Sequence, residues 1–530
     1  MDGAGKYLLD CADMALADRT AQERFGIPAM ILMENAACGA AEYLLRLWKG
    51  DLKVPILVVA GKGNNGGDAL ALARRLFLAG CENLRVLLLQ KDVGELPRVH
   101  LRVLERLGVF LRVYEGGEEE AVCLMGEAAW IIDGLYGIGL QGPVRPRAAA
   151  LVRLINDSPA GVVSLDVPSG LGDGFRGGWP VVRAGYTLTF EVPKLCLYLP
   201  CGREAAGRIE LISAGFPPGA FRENSGGRKS VYLVNAKDIL PALLPRPHDA
   251  DYKNSRGHVA VFAGEPGTTG AALLCGEAAL RSGAGLVSLF ADPGVYPILA
   301  GACRSVMVKP LDTGPGGWDA SAYRAILAGP GWGRQEANVA WLERFLESGL
   351  PGVLDAGALY VLKTMLETRA ETMPGTAPGR ENLNLRGWVL TPHPGEFAAL
   401  TGADRDSILS NPIPLMEEFC RKFHCVLVLK SHVTLIHEPA EMTEPGAAGK
   451  DSGGTTWIHD GMNPALGTAG SGDILAGLIA GLLGRGLAPA RAALCGVEIH
   501  AAAGKAAREA SGFFLSEEIL QYISKEAYKE

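Results

Sequence analysis

The chain of 530 residues has no Cys-x-x-Cys pair among its eleven cysteines. The closest spacings, Cys196 with Cys201 and Cys420 with Cys425, match neither a zinc site nor a disulfide framework. Reduced thiols and a cytoplasmic home are therefore expected. Positive charge is also short: 51 Lys and Arg face 58 Asp and Glu, leaving a net charge of −7. That balance argues against nucleic acid or an anionic membrane as a main partner. It leaves room for an anionic ligand held by local backbone donors. A long apolar run is missing as well. The longest, 474–483, falls well below the roughly 20 residues that span a bilayer, and it reads as a buried core helix. Asp2, Asp10, Asp13 and Asp18 without a long apolar stretch predict no signal peptide. No short-period repeat is present.

What the chain does have is glycine, 70 residues of it, much of it in turns after apolar runs. A length of 530 predicts at least two domains. Apolar runs at 54–60, 85–89, 109–113, 129–133, 161–166 and 185–191 alternate with helical stretches. This predicts βαβ units and a largely parallel sheet. Composition shifts at 214–256, where Gly215-Phe216-Pro217-Pro218-Gly219 and Asn224-Ser225-Gly226-Gly227 precede Pro241, Pro245 and Pro247. The expected division is a first domain over 1–220, a linker or crossing segment over 221–250, and a second α/β domain over 251–530. Strands of the second are expected at 258–263, 285–290, 325–328, 353–355, 388–390 and 426–430. Polar segments at 369–386 and 438–454 read as surface insertions, the second with a hairpin reading left open.

In the first half, Gly61, Gly63 and Gly66 follow a strand and open a helix, the pattern of a dinucleotide turn. The interior Asn64-Asn65 and the terminal Gly67-Asp68 suit hydroxyls, a carboxamide or a bare cation better than a pyrophosphate. Asp133 and Asp166 end two further strands beside glycines. In a parallel sheet the three acids gather at the carboxyl edge, where ligands bind. A single such Asp is more often a turn residue; three favour a site. Lys194 follows a fourth strand and would supply a cation, although alone it reads as a surface lysine.

In the second half, Gly470-Ser471-Gly472-Asp473 leads into Ile474-Leu475-Ala476. Free amides and the helix dipole at such a start hold phosphate. A carboxylate there repels an anion but suits a base that takes a proton from an attacking hydroxyl. Capping by Ser471 or Asp473 is an equal alternative on spacing alone. His393 sits between Pro392 and Pro394 at a strand end, stiffened as a candidate ligand. Lys430-Ser431-His432-Val433-Thr434 ends another strand and reads equally as a nucleotide contact or a plain turn.

Met33-Glu34-Asn35, Gly63 to Asp68, Asp133 to Pro143, Asp166-Val167-Pro168-Ser169-Gly170 and Pro193-Lys194 resemble the NAD(P)H-hydrate epimerase family. The resemblance implies interconversion of the R and S hydrates of NAD(P)H, with a potassium ion on Asn65, Asp133 and Ser169. Substrate contacts carry over to Asn64, Asn65, Gly66, Gly67 and Asp68, to Gly137, Ile138, Gly139, Leu140, Gln141, Gly142 and Pro143, and to Asp166. Asp166 is then the acid/base, helped by Lys194. Ala69, where that family usually has glycine, is expected to narrow the pocket floor.

Thr391 to Glu396, Lys430 to Thr434 and Asn463 to Asp473 resemble the ADP- or ATP-dependent NAD(P)H-hydrate dehydratases, which are similar to ribokinase in fold. Together the halves resemble the bifunctional NAD(P)H-hydrate repair enzymes over nearly the whole chain. This implies two three-layer α/β/α domains, the first Rossmann-like and the second ribokinase-like. Hydrate contacts carry over to Ala271, Gly331, His393 and Asp473, with Asp473 as base. Nucleotide contacts carry over to Lys430, Ser431, His432, Val433, Thr434 and Gly472, with magnesium accompanying ADP or ATP. Gly357 stands where that family usually has a second acid, and Ser431 replaces a usual glycine. A homo-oligomer is expected. The rival reading is a small-molecule (vitamin precursor) kinase fused to a nucleotide-binding domain; accumulation of a phosphorylated product would favour it. A non-catalytic NAD-binding scaffold is a third.

Overall fold

A computed structural model describes residues 5–221, 230–311, 314–333, 337–372, 383–442 and 453–529. The chain divides into two compact units, one over 7–228 and one that joins the first six residues to 229–530.

The first unit is built on seven strands: β1 (Ile56–Ala60), β2 (Leu84–Leu88), β3 (Phe110–Val113), β4 (Trp130–Gly134), β5 (Gly161–Leu165), β6 (Tyr186–Phe190) and β7 (Arg208–Ile212). They lie in the order 3-2-1-4-5-6-7, and every neighbouring pair is parallel. Alternate residues feed opposite cores. Ile56, Val58 and Ile132 pack with the helices Ala29–Leu47 and Asn64–Leu78; Leu57, Val59 and Ile131 pack with Glu118–Glu127 and Pro146–Asp157. Both faces are covered, so the strands read as continuous apolar runs. Ala60 pairs with Gly134 and Asp133 with Ser164, which aligns the carboxyl ends along one edge.

The second unit carries an eleven-stranded sheet. Its strands are β8 (Ser230–Val234), β9 (His258–Phe262), β10 (Leu286–Ala291), β11 (Met307–Pro310), β12 (Ala325–Ala328), β13 (Gly352–Leu354), β14 (Trp388–Leu390), β15 (Val426–Leu429), β16 (Thr434–Glu438) and β17 (Thr455–His459), with the short strand Lys6–Tyr7 at the edge beside β8. The run from β11 through β10, β9, β12, β13 and β14 to β15 is parallel, and β16 lies antiparallel to both neighbours. One face packs on the helices Thr269–Arg281, Ser471–Gly484 and Pro489–Ser511. The other packs rings, with Phe262 and Phe345 centroids 4.3 Å apart. The apolar helix is buried from Ile474 to Gly484. Its glycines are needed there: a Cβ on Gly477 would lie 2.2 Å from the Cys275 carbonyl oxygen, and one on Gly481 would lie 2.5 Å from that of Ala279.

Both units are therefore layered α/β as expected, with two departures. Residues 230–243, expected inside a crossing segment, form β8 and the helix Ala236–Leu243; Val234, Ile239 and Leu240 are buried in the second core. The expected insertion at 369–386 begins inside the helix Gly357–Thr372, while 373–382 lie outside the described residues. Around 438–454, β16 and β17 pair as a hairpin, and 443–452 lie outside the described residues.

Candidate active sites

The carboxyl edge of the first sheet borders a cavity of 790 Å³. Asn64, Asn65, Asp68, Gly137, Ile138, Gly139, Leu140, Gln141, Pro143, Asp166 and Lys194 line it. Gly66, Gly67 and Gly142 do not. The first two serve packing: a Cβ on Gly66 would lie 2.0 Å from the Gly61 carbonyl oxygen, and one on Gly67 would meet Met33. Ala69 does not line the cavity either. It faces Gly134, whose own Cβ would come within 2.4 Å of it, so it packs the helix onto β4 and leaves the pocket floor untouched.

Lys194 is no surface lysine. It is wholly buried, 2.6 Å from Asp166 Oδ1, and its ammonium donates to the Phe190 carbonyl at 2.5 Å. The Phe190 amide also donates to Asp166. Asp166 holds φ at 65°, a left-handed conformation that costs a non-glycine residue energy. Strain of this kind concentrates where a side chain must be aimed. Asp68 shares the cavity. Burial, then the charges of Asp166 and Asp18, push its carboxyl well above the usual range, with Lys194 opposing. One cavity thus holds a carboxylate locked to a lysine and a second carboxylate without such a partner, two unlike environments for acid/base work.

Asp133 does not reach the cavity. It is fully buried behind it and accepts from Ser164 Oγ at 2.8 Å, Ser169 N at 2.9 Å, Ser169 Oγ at 2.6 Å and Leu135 N at 3.2 Å. It braces the turn after β5. Asn65 is the reverse case, buried and lining the cavity, with both amide atoms unpartnered.

In the second unit the ladder runs one residue past the strand ends. Asp355 N donates to Ala328 O, Thr391 N to Leu354 O and Lys430 N to Pro392 O, which sets these three side by side. Lys430 Nζ lies 2.6 Å from Asp355 Oδ1, and Thr391 Oγ1 donates to the same oxygen at 2.8 Å. The helix Ser471–Gly484 starts next to them: a Cβ on Gly472 would stand 3.3 Å from Lys430 Nζ. Its N-cap is Gly470 at φ 90°, with no side-chain cap. The capping alternative thus falls away. Ser471 Oγ instead meets His500 Nε2 at 3.1 Å, and the amides of Gly472 and Asp473 are first-turn donors without a partner in the helix.

Burial raises the Asp473 carboxyl to about 6; Asp355 adds to the rise, Lys430 opposes it, and Glu396 contributes. Burial works against the charge on Lys430, but Asp355, Glu396 and Asp473 outweigh it and raise its pKa. A base of intermediate strength, a fixed cation and an open helix start together suit proton removal beside a phosphoryl group.

His393 caps the helix Pro394–Thr401, its Nδ1 accepting from Gly395 N at 3.0 Å and Glu396 N at 3.3 Å. Only Nε2 is left to turn toward a ligand, and Glu396 Oε1 is 3.5 Å from it. Gly331 is tied to the turn before Ala271, since Thr268 Oγ1 donates to the Gly331 carbonyl at 2.7 Å. The segment 430–434 makes the tight turn from β15 to β16. Val433 is buried, Ser431 Oγ meets His432 Nδ1 at 3.1 Å, and the His432 carbonyl takes the Met462 amide. Gly357 has no room for an acid, because a Cβ there would lie 2.3 Å from the Trp332 carbonyl oxygen. Asp355 and Glu396 are carboxylates near Lys430 and Asp473 that sequence reasoning did not single out. Asp355 follows a strand end, whereas Glu396 lies in the first turn of the helix Pro394–Thr401.

Residues 29–196 match the family model described as the YjeF-related protein N-terminus, and residues 259–525 match that of the NAD(P)H-hydrate dehydratase. The chain is 34% identical to the bifunctional NAD(P)H-hydrate repair enzyme Nnr of Moorella thermoacetica, over 95% of this chain and 93% of that one. It is 32% identical to the enzyme of the same name from Salinibacter ruber, over 94% and 91%. Among solved structures it is similar to an ADP/ATP-dependent NAD(P)H-hydrate dehydratase from Bacillus subtilis co-crystallized with ATP/Mg2+, at 27% identity and a TM-score of 0.45, covering 55% of this chain and 96% of that one. With both halves matched in one order and near-complete coverage, this chain belongs to the family of bifunctional NAD(P)H-hydrate repair enzymes.

Proposed function

We propose that the chain repairs hydrated NAD(P)H, with an epimerase in residues 1–220 and a nucleotide-dependent dehydratase in residues 251–530, the latter completed by β8 and the helix after it. The observation that carries this is the placement of Asp473, Lys430 and Asp355 around an uncapped helix start.

In the dehydratase, Asp473 takes the proton from the hydroxyl of the S hydrate. That oxygen attacks the terminal phosphoryl group of ADP or ATP, breaking its bond to the nucleotide. The Gly470–Gly472 turn and Lys430 hold the phosphate charge, and Asp355 fixes Lys430. Lys430 to Thr434 and Gly472 hold the nucleotide, while Ala271, Gly331 and His393, through the Nε2 that lies beside Glu396, face the hydrate. The C–O bond of the phosphorylated hydrate then breaks to release phosphate, the neighbouring ring carbon gives its proton to solvent, and NAD(P)H returns. Magnesium bound with the nucleotide supplies charge neutralisation. Among the described residues no three His, Cys, Asp or Glu side chains cluster to hold a metal, so phosphates and water would be its main ligands.

In the epimerase, Asp166 exchanges a proton with the hydrate, oriented by Lys194, and Asp68 is the proton donor in the same cavity. The substrate contacts are Asn64 to Asp68 and Gly137 to Pro143, with Gly66 and Gly67 seating the first turn of the helix Asn64–Leu78 from behind and Gly142 turning the chain at φ 72°. A potassium ion would be held by the unpartnered Asn65 Oδ1 together with Asp133 and Ser169, which would have to give up part of their mutual hydrogen bonding to reach it. A homo-oligomer is the expected assembly. A cytoplasmic location accords with eleven free thiols and with the lack of any membrane-length apolar helix among the described residues. The test is recovery of NADH absorbance from its mixed hydrates, with ADP and with ATP in separate tubes. Recovery with neither nucleotide would refute the reading.

A further inference from the structure

The first unit has a second opening, of 810 Å³, that shares Lys62, Gly63 and Gln90 with the cavity already described. The two adjoin along the carboxyl edge. The reactive pair, Asp166 and Lys194, lies past β5 and β6, whereas the second opening lies past β2, on the far side of the point where the strand order reverses. In a sheet of order 3-2-1-4-5-6 a dinucleotide straddles that reversal, and the end of the second strand meets the adenosine ribose. Here that end is Gln90 to Asp92.

The charges fit such a role. Arg98 donates to Asp92 Oδ1 at 3.1 Å and to the Val93 carbonyl at 3.0 Å. Arg102, one helical turn on from Arg98, lies on the same face of the helix Glu95–Arg106. Three cations, Lys62, Arg98 and Arg102, meet two acids, Asp92 and Glu95, a local positive excess in a chain of net charge −7. An acid at this strand end accepts from a ribose 2′-hydroxyl, and an arginine beside it accommodates a 2′-phosphate.

We propose that this opening holds the adenosine half of the hydrate, and that Arg98 and Arg102 against Asp92 set the preference between the 2′-phosphorylated and unphosphorylated substrates. The proposal rests on the epimerase reading above. A 2′-hydroxyl donates to Asp92 with the Arg98 pair intact. A 2′-phosphate takes Arg98 away from Asp92 and gains Arg102, so both substrates are accepted and the arginines favour the phosphorylated one.

The test measures kcat/KM for epimerisation of NADPH hydrate and NADH hydrate by the full chain and by Arg98→Ala, Arg102→Ala and Asp92→Asn. All three side chains are on the surface, so folding should survive. The ratio of the two constants, phosphorylated over unphosphorylated, should fall roughly ten-fold in Arg98→Ala, as for loss of one charge-assisted hydrogen bond. It should fall in Arg102→Ala and rise in Asp92→Asn. Ratios within about two-fold of the unaltered protein in all three variants would overturn the proposal while the epimerase reading stood. An unaltered protein that epimerised neither hydrate would overturn both.

Discussion

On the proposed mechanism, Asp473 sets the pH behaviour of dehydration. With its carboxyl raised to about 6, it is ionised at neutral pH, and the rate should fall as pH drops through about 6 because a protonated base accepts nothing. The charges facing it are Asp355, Lys430 and Glu396. Asp355→Asn removes a like charge and should move this limb to lower pH; Lys430→Met removes the opposing cation and should move it higher. A limb that stays in place in both variants would mean another group is titrating. Asp166 and Lys194 make a different prediction. Their side chains are 11% and 1% exposed, so Asp166→Ala leaves a buried lysine without its partner. We expect a loss of about 3–5 kcal/mol in urea unfolding, and a smaller loss than the sum of the two single changes in Asp166→Ala/Lys194→Met. Asp473 was legible in the sequence because a glycine turn and an apolar helix flank it. Asp355 and Glu396 were not: Asp355 meets the distant Lys430 only through the alignment of strand ends, and Glu396 comes near both only through the helix after Thr391. His393 was legible as a rigid residue, but its Nδ1 is committed to the backbone.

The helix that opens at Gly470 makes its own test. Gly472 has no left-handed backbone to protect, so Gly472→Ala should leave the helix at least as stable as before. Its new methyl would crowd Lys430 Nζ at 3.3 Å. The expected outcome is a protein at least as stable to heat, with a higher KM for the nucleotide. An unchanged KM would separate Lys430 from nucleotide binding. Strands at the sheet centres were legible as apolar runs. Arg208–Ile212, Met307–Pro310, Thr434–Glu438 and Thr455–His459 were not, because edge and hairpin strands carry charged and polar residues that hide the pattern. The expected linker was misjudged for a related reason. Its prolines signal a break, yet Pro241 is accommodated inside the helix Ala236–Leu243 while Ile239 and Leu240 bury its apolar side.

At the scale of the molecule, each unit has its own sheet and its own cores, and each holds one of the two sets of carboxylates proposed to react. Asp473→Ala should therefore abolish dehydration, by roughly 10²–10⁴-fold or more, while the other half still interconverts the hydrates. The most direct measurement follows NADH absorbance recovered from a mixture of R and S hydrates at saturating nucleotide. The unaltered chain should convert both epimers. Asp166→Ala should halt early, once the S hydrate is consumed, and Asp473→Ala should recover almost nothing. Continued recovery by Asp166→Ala at the unaltered rate, or any substantial recovery by Asp473→Ala, would contradict the assignment of these carboxylates to the two steps.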